Sequence, residues 1–438
     1  ATMSLSGAMQ PLTPISYRID SGRDLMLRKQ QQQLFGFNLG RETSRRHQLS
    51  ASFALPVLRR LLGPRYSWSG NSNLAWSQVT LRDEPPWQSS FGNSQNHTFQ
   101  GTVNPSDLVE FVQGIGRSGA SDDSAGAPPK PVGQRSGVQV VRPINISYSI
   151  ARQTSFTGRV GTPSLLYQLG LSEQPGSNVS GISDARSRDN HGDTRTLSMD
   201  TSVKLPRQAN LTTRYSRTST KQRSSGLLST TESTKWPDFD VNWGQIYQAV
   251  GISRWFQSFS ASTRYSRDLR EQKSASSTNT TTTTTFSPLL NITATLKSGL
   301  SATLNSSTSS NHSETPETRT VNDSDRKSVG LNVKKTLNLK RTIKVPMSDR
   351  RQTVTTRVDV NASVDWRSEK SSSRTGIQAT PTVTRNMASL KFATGLGYQF
   401  TQTITGNGQI NFGQNTDRKN RAQTERFIGI TLSASFTF

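Results

Sequence analysis

Few side chains of this sequence have the types and spacing that chemistry requires. The chain has no cysteine, which excludes disulfide frameworks, thiolate zinc sites and thiol nucleophiles. Its four histidines show no metal-binding H-x-x-x-H spacing and lie among polar residues, so solvated loop positions are expected for them: His47, His97, His191 and His312. The sequence also lacks a G-x-x-x-x-G-K-[ST] phosphate loop and a G-x-S-x-G nucleophile elbow. We therefore expect a protein that is not an enzyme.

Two acidic pairs and one glycine motif are the remaining candidates for a ligand site. The pairs at 122–123 and 238–240 lack the ligand number and the loop glycine of a hand-type calcium site. The glycines at 395 and 397 lie in an alternating strand pattern with no helix start behind them, which disfavours a dinucleotide loop. No metal and no cofactor are predicted.

The chain has a basic surplus, with 53 Lys and Arg against 29 Asp and Glu and a net charge of +24. A basic surplus is typical of proteins that bind nucleic acid, so nucleic acid has to be considered as a partner. However, the basic pairs are dispersed, and neither a recognition helix nor a recurring aromatic and basic platform is visible. Cations near strand ends also suit anionic lipid headgroups. The expected partners are outer-membrane lipids and lipopolysaccharide, and no nucleic acid.

The composition is poor in both apolar and charged residues. Hydrophobic residues make up 31% and charged residues 19% of the 438 residues, whereas soluble domains have roughly 45–50% apolar residues, glycine included, and about 25% charged residues. Disorder is one explanation, since weak hydrophobicity does not offset chain entropy. The aromatic residues nevertheless follow a pattern, and the composition suits a chain in which every second residue is polar.

Apolar and polar residues alternate with a period of two along much of the chain. Near the C-terminus one strand face would carry Ile428, Ile430, Leu432, Phe436 and Phe438, while the residues between them are mainly Gly, Thr and Ser. The same alternation recurs at 144–150, 197–205, 290–296 and 358–366. It predicts roughly 12 to 16 strands of about 9–12 residues, which is the length that crosses a bilayer at a tilt.

These strands predict an all-β fold, a transmembrane antiparallel β-barrel with one lipid-facing and one water-facing side. A soluble β-sandwich would also alternate, but its strands are commonly shorter, with a mode of about 5–6 residues. An aromatic residue ending the last strand is the assembly signal of outer-membrane barrels, so the barrel assembly machinery is an expected partner. The expected location is the outer membrane of a Gram-negative-type bacterium.

Polar segments between the strands predict long surface loops, as in outer-membrane barrels. We treat residues 1–438 as one β-barrel region. The predicted loops are 83–88, 118–134, 172–194, 271–287 and 305–327.

Three ordered segments combine aromatic residues with glycine, proline and asparagine. They read RYSW at 65–68 followed by FGNSQN at 91–96, GTPSLLYQLGL at 161–171, and WPDFDVNWG at 236–244. In this order they resemble the C-terminal region of the SprA family, the gliding-motility proteins that form the outer-membrane translocon of the type IX secretion system. The residues that carry the resemblance are Trp68, Trp76, Gly92, Asn93, Pro163, Tyr167, Gly170, Trp236, Pro237 and Trp243.

The resemblance covers roughly residues 60 to 270 and the last strand. In the family, a strand at the first segment is followed by a G-N-x-x-N turn. Phe239 stands where the family usually has tryptophan, and Thr263 stands where a histidine would be.

The resemblance implies a function without chemistry in the barrel. Family members are very long chains that form a barrel of about 36 strands, so these residues would be its C-terminal portion. The implied activity is passage of folded cargo proteins through the outer membrane, with periplasmic and outer-membrane plug or accessory proteins as partners. Two alternatives stay open: a porin or uptake barrel made by this chain alone, and a fibrous, Ser/Thr-rich cell-surface structural protein.

Overall fold

The structure is a computed structural model, and it describes most of the chain. The described residues are 2–9, 15–24, 33–34, 37–38, 41–55, 63–78, 87–105, 141–181, 188–205, 208–249, 251–344, 351–376, 380–399, 404–419 and 423–436.

The described residues form twenty strands and two one-turn helices. The strands are β1 (Thr2–Met9), β2 (Ile15–Asp24), β3 (Gln33–Leu34), β4 (Phe37–Asn38), β5 (Arg41–Ala54), β6 (Arg65–Gln78), β7 (Trp87–Val103), β8 (Ile144–Val160), β9 (Ser180–Gly181), β10 (Arg188–Leu205), β11 (Ala209–Ser224), β12 (Leu227–Trp243), β13 (Phe256–Lys273), β14 (Thr278–Leu296), β15 (Leu300–Thr315), β16 (Thr320–Lys344), β17 (Arg351–Thr375), β18 (Thr382–Gln399), β19 (Ile404–Asp417) and β20 (Gln423–Phe436). The helices are α1 (Leu165–Gln168) and α2 (Ile246–Ala249), and neither is long enough to span a membrane.

Long strands that follow one another in the sequence pair with each other in the sheet. Eighteen strands belong to one sheet, and β3 and β4 form a separate hairpin. Each ladder with a defined register is antiparallel, from β1 with β2 to β19 with β20. Short β9 pairs with the end of β8, so β10 is the next long neighbour of β8. The predicted all-β, antiparallel fold class is confirmed.

The chain separates into two compact units. Unit 1 comprises residues 1–201, 215–234 and 270–278, and unit 2 comprises residues 202–214, 235–269 and 279–438. Unit 1 contains a small buried apolar cluster of Leu74, Phe91 and Tyr167. Unit 2 is a succession of long hairpins, in which β16 and β17 reach 25 residues each.

Two predicted loops are wrong for most of their length. In place of the 271–287 loop, β13 continues to Lys273 and β14 begins at Thr278; in place of the 305–327 loop, β15 continues to Thr315 and β16 begins at Thr320. Ser and Thr occupy both faces of these segments and pair across strands, for example Thr281 with Ser313. Polar residues on both faces hide the alternation, while threonine itself favours strands.

The other predicted loops have different outcomes. The 83–88 segment overlaps β7 at its end, and the 172–194 segment overlaps β10 from Arg188 onwards. The 118–134 segment lies outside the described residues.

The histidines and the G-N turn also differ from expectation. All four histidines lie in strands, and His47 is only 2% exposed. Gly92 and Asn93 lie in the middle of β7, where they pair with β6 and β8, and do not form a turn.

Candidate functional site

One face of unit 2 is a continuous apolar surface. A single row of directly paired residues crosses seven strands without a polar side chain: Ile292, Leu304, Leu331, Val364, Phe392, Phe412 and Ile428. The next row begins Ala294–Ala302–Val333–Ala362 and ends at Ile410 and Ile430, with Thr394 between. Such rows arise because directly paired residues of antiparallel strands share a face.

This surface, which we call the apolar band, is not covered by the part of the chain that the structure describes. Ile428 is 73%, Ile430 67% and Leu432 81% exposed, so the aliphatic row predicted for the last strand does not pack under a second layer of the described chain. Phe392 and Ile410 are exposed by 41% and 49%. Contiguous exposed apolar surface of this kind marks contact with another apolar phase or partner.

The height of the apolar band matches a bilayer. Along β16 it extends from Val329 to Leu339, and ten residue steps rise about 34 Å. A strand tilted by about 40° would convert this length to a height of about 26 Å, close to the apolar belt of about 25 Å on outer-membrane barrels. Between Val329 and Leu339, Lys335 is the one charged residue of β16 on this face, and its long aliphatic stem directs the ammonium towards the interface. Arg426 of β20 lies in the row of Val329 and Trp366, at the border of the band.

The apolar band ends at a defined level. Trp366 pairs with Val329 and Leu390 in the last row of the apolar band. Two residues further along β17, the same face carries Ser368 opposite Lys327, and then Lys370 opposite Asp325. An aromatic residue at the edge followed by charges is the pattern of a membrane–water interface.

The opposite face of unit 2 is lined by small polar residues. One row reads Thr293, Thr303, Asn332, Ser363, Ala393, Asn411 and Gly429. In the row that contains Asp365, this carboxylate is paired directly with Lys391, so opposite charges are adjacent. This face can line water.

In unit 1, residues 161–181 fold back onto the sheet. We call them the docked segment; they contain α1, and Ser164 caps this helix by accepting a hydrogen bond from the Tyr167 amide. The Asn93 amide nitrogen donates to the Tyr167 carbonyl at 2.6 Å and to the Ser172 carbonyl at 3.0 Å. The Ser72 hydroxyl donates to the Gln168 carbonyl. The sheet therefore satisfies carbonyls that the short helix leaves open.

Tyr167 is the main apolar anchor of the docked segment. Its side chain is fully buried, with its ring edge-on to Phe91 at 5.5 Å and tilted on Phe156 at 6.1 Å between centroids. Its hydroxyl shares a hydrogen bond of 3.1 Å with the Thr154 hydroxyl. Edge-on aromatic pairs of this kind add to the burial energy of the ring.

Two glycines allow the docked segment to approach the sheet backbone. A Cβ on Gly70 would lie 2.8 Å from the Leu169 carbonyl oxygen and 3.1 Å from Gly170 Cα. Gly170 itself has φ of +74°, which favours glycine. The closeness of these backbones requires the absence of a side chain on both.

We expect Gly70→Ala to weaken docking, because its methyl group meets backbone atoms that have no room to move. Overpacking of this kind costs about 1–3 kcal/mol. Hydrogen exchange at the amides of α1 should accelerate in Gly70→Ala. The control is Gly192→Ala, whose methyl group would lie 3.9 Å from its nearest neighbour and should leave exchange unchanged. Equal exchange in both variants would show that the glycine contact does not hold the segment.

Ion pairs at Glu173 also hold the docked segment to the sheet. The Glu173 carboxylate accepts a hydrogen bond from Arg152 at 2.7 Å and lies 3.5 Å from the His191 ring. Arg152 also lies 3.7 Å from Asp193. Because these side chains are partly exposed, the pairs fix position more than they add stability.

Docking should weaken at strongly alkaline pH, because burial raises the pKa of Tyr167 to about 12, although the Thr154 hydrogen bond lowers it slightly. A free tyrosine ionises near pH 10. Since the docked state holds the proton more tightly, docking is complete below about pH 10 and declines as the pH rises towards about 12. A nitroxide on Leu166→Cys should gain mobility over this range, and the added Tyr167→Phe should abolish the transition. A transition of unchanged size in Tyr167→Phe would assign it to another group.

The structure brings together only part of the family-like motif. Asn93, Pro163, Tyr167 and Gly170 meet in unit 1, and Gln168 donates to the Pro163 carbonyl at 2.7 Å. Trp68 and Trp76 lie on β6, where Trp76 packs against the apolar cluster. The remaining residues do not join this site: Trp236, Pro237 and Trp243 lie on β12, and Gly92 faces away from the docked segment.

The sequence did not predict two features of the structure. Ser72 and Thr154 contact the docked segment although nothing in an alternating Ser/Thr pattern distinguishes them. Asp238, considered only for calcium, is buried beside Lys235 at 3.1 Å and Arg264 at 3.3 Å. The backbone of Phe436 ends β20, and Phe438 lies outside the described residues.

No protein-family model matches this chain, and no curated protein matches it. Among solved structures, the chain is similar to the crystal structure of the siderophore receptor PiuA from Acinetobacter baumannii, with 9% sequence identity and a TM-score of 0.31. The similarity covers 99% of this chain and 73% of that receptor.

Proposed function

We propose that this chain forms the wall, or part of the wall, of an outer-membrane β-barrel, and that this barrel conducts proteins in the manner of a SprA-type translocon. The observation that carries the barrel is the apolar band, bounded at Trp366 and backed by a polar face. In a bilayer, backbone groups must all be hydrogen-bonded, which for strands requires a closed barrel.

The polar face is better suited to letting a polypeptide pass than to binding it. Its central row consists of Thr, Asn, Ser, Ala and Gly side chains, which are small and neutral. The charges of the neighbouring row are adjacent and opposite, as in Asp365 and Lys391. At the central row and at the Asp365–Lys391 pair, a moving polypeptide would meet small neutral side chains and adjacent opposite charges, which give it few places to bind.

The protein-conducting role itself is supported by the ordered resemblance to the SprA family. In such a channel, cargo proteins pass through the lumen, while plug and accessory proteins in the periplasm and the outer membrane keep it closed. The chain contributes a water-filled path and no reaction. Phosphate-bearing lipopolysaccharide would contact the cations that border the apolar band, such as Lys327 and Lys370.

Deletion of this gene from its host tests the proposal. Proteins that fold before release should disappear from the medium, should accumulate in the periplasm, and should be released again on complementation with the wild-type chain. An unchanged set of secreted proteins combined with lost uptake of a small solute would instead identify a porin or uptake barrel. Recovery of the chain without detergent, as insoluble fibres, would identify a structural surface protein and reject both barrels.

A further inference from the structure

The docked segment presents three exposed leucines on its side away from the sheet. Leu165 is 63%, Leu166 57% and Leu171 53% exposed, although their neighbour Tyr167 is fully buried. These values are close to the 67% exposure of Ile430 in the apolar band. An isolated exposed leucine needs no explanation, but three within seven residues of a tightly anchored segment form a patch.

The patch begins where the apolar rows of unit 1 end. Tyr66, Phe99, Tyr148 and Leu197 are directly paired in one row, and the next row reads Trp68, His97, Ile150 and Arg195, with Arg195 paired to Asp193. Gly70 follows Trp68 by two residues on the same face and contacts Gly170 of the docked segment.

One row of the sheet beneath the docked segment is polar, and the next row supplies Leu74, Phe91 and Phe156 to the apolar cluster around Tyr167. The polar row contains Ser72, Asn93 and Thr154, whose polar atoms bond to the segment. The fold therefore covers a polar row of the sheet with a segment whose outer side carries leucines.

The docked segment also has no charged side chain that would have to enter the membrane without a partner. Glu173 is the one Asp, Glu, Lys or Arg residue in the sequence from 161 to 181. Its carboxylate is already paired with Arg152. An amphipathic element with apolar residues outward and its charge neutralised is suited to the boundary between headgroups and acyl chains.

We propose that the docked segment is an interfacial lipid anchor, whose leucines enter the headgroup–acyl boundary of one leaflet above the Trp68 row. This inference rests on the proposed membrane location of the sheet. It assigns the outward side of the segment to lipid, in continuity with the apolar rows, and gives the buried tyrosine the role of holding that side in place.

The absence of cysteine permits a clean test with single-cysteine variants. Nitroxides would be placed at Leu166→Cys, at Ile430→Cys as a reference inside the apolar band, and at Asp325→Cys as a reference on the same face beyond it. The protein would be reconstituted in phosphatidylethanolamine–phosphatidylglycerol vesicles. Collision with dissolved oxygen reports lipid, and collision with a water-soluble nickel complex reports water. The expected result for position 166 is severalfold less nickel collision than at 325, at a depth shallower than 430.

Each alternative outcome has a distinct meaning. Nickel collision at 166 equal to that at 325, with 430 still in lipid, would overturn the anchor and leave the barrel proposal intact. Aqueous labels at both 166 and 430 would reject the barrel proposal as well. A label at 166 that is immobile and shielded from both reagents would show contact with protein, which also overturns the lipid anchor.

Discussion

Arginine at position 410 is expected to block membrane insertion, whereas arginine at position 411 is not. Ile410 is 49% exposed and lies in the central part of the apolar band, paired with Ile430. Asn411 is its immediate neighbour on β19 and faces the polar side, paired with Gly429. A guanidinium on the lipid face near the bilayer midplane costs about 2–4 kcal/mol.

The two variants form a matched pair with the same added charge, one residue apart on one strand. Heat-modifiable migration after detergent extraction measures the folded, inserted fraction. We expect a large loss for Ile410→Arg and wild-type behaviour for Asn411→Arg, because the absent side chain of Gly429 leaves room on the polar face. Equal losses would show that both faces are packed, and equal tolerance would show that neither face contacts hydrocarbon.

Tyr167→Ala is expected to release the docked segment. The substitution removes the ring from the Phe91 and Phe156 contacts and leaves a buried cavity, which for aromatic side chains costs about 3–5 kcal/mol. The hydrogen bonds from Ser72 and Asn93 then hold a helix of one turn without its anchor. Hydrogen exchange at the amides of residues 165–171 should approach that of an exposed loop, while exchange of β7 and β8 stays close to wild type.

Tyr167→Phe separates the ring from its hydroxyl. It keeps the aromatic contacts and loses the bond to Thr154, so its effect should be about 1 kcal/mol. Protection of the segment in Tyr167→Ala as strong as in wild type would assign docking to the polar contacts alone.

The strands with one apolar and one polar face were predictable from sequence. In β20 and β17 every second residue is apolar, and this alternation is visible in Ile428–Leu432 and Val358–Trp366. Where the hairpins extend beyond Trp366, both faces carry Ser, Thr and charged residues. The alternation disappears there although the backbone pairing continues. For this reason the sequence pattern predicts loops at 271–287 and 305–327, where the structure has mainly strands.

The docked segment was not predictable in its geometry. The residues of GTPSLLYQLGL stood out as a family-like motif, but their docking depends on Ser72, Asn93 and Thr154. These three lie on three different strands and become neighbours only through the register of β6, β7 and β8. Small polar residues of this type occur throughout the chain, so composition and spacing do not distinguish them. The burial of His47 escaped prediction for the same reason.

The most direct test of the lipid contact is a nitroxide scan along β17 from Asp359 to Asp365 in reconstituted vesicles. If one face contacts hydrocarbon, oxygen collision will peak at 360, 362 and 364, and collision with the nickel complex will peak at the positions between them. A scan without this alternation, or with labels at 360, 362 and 364 shielded from both reagents, would contradict a lipid-facing apolar band and with it the proposed barrel.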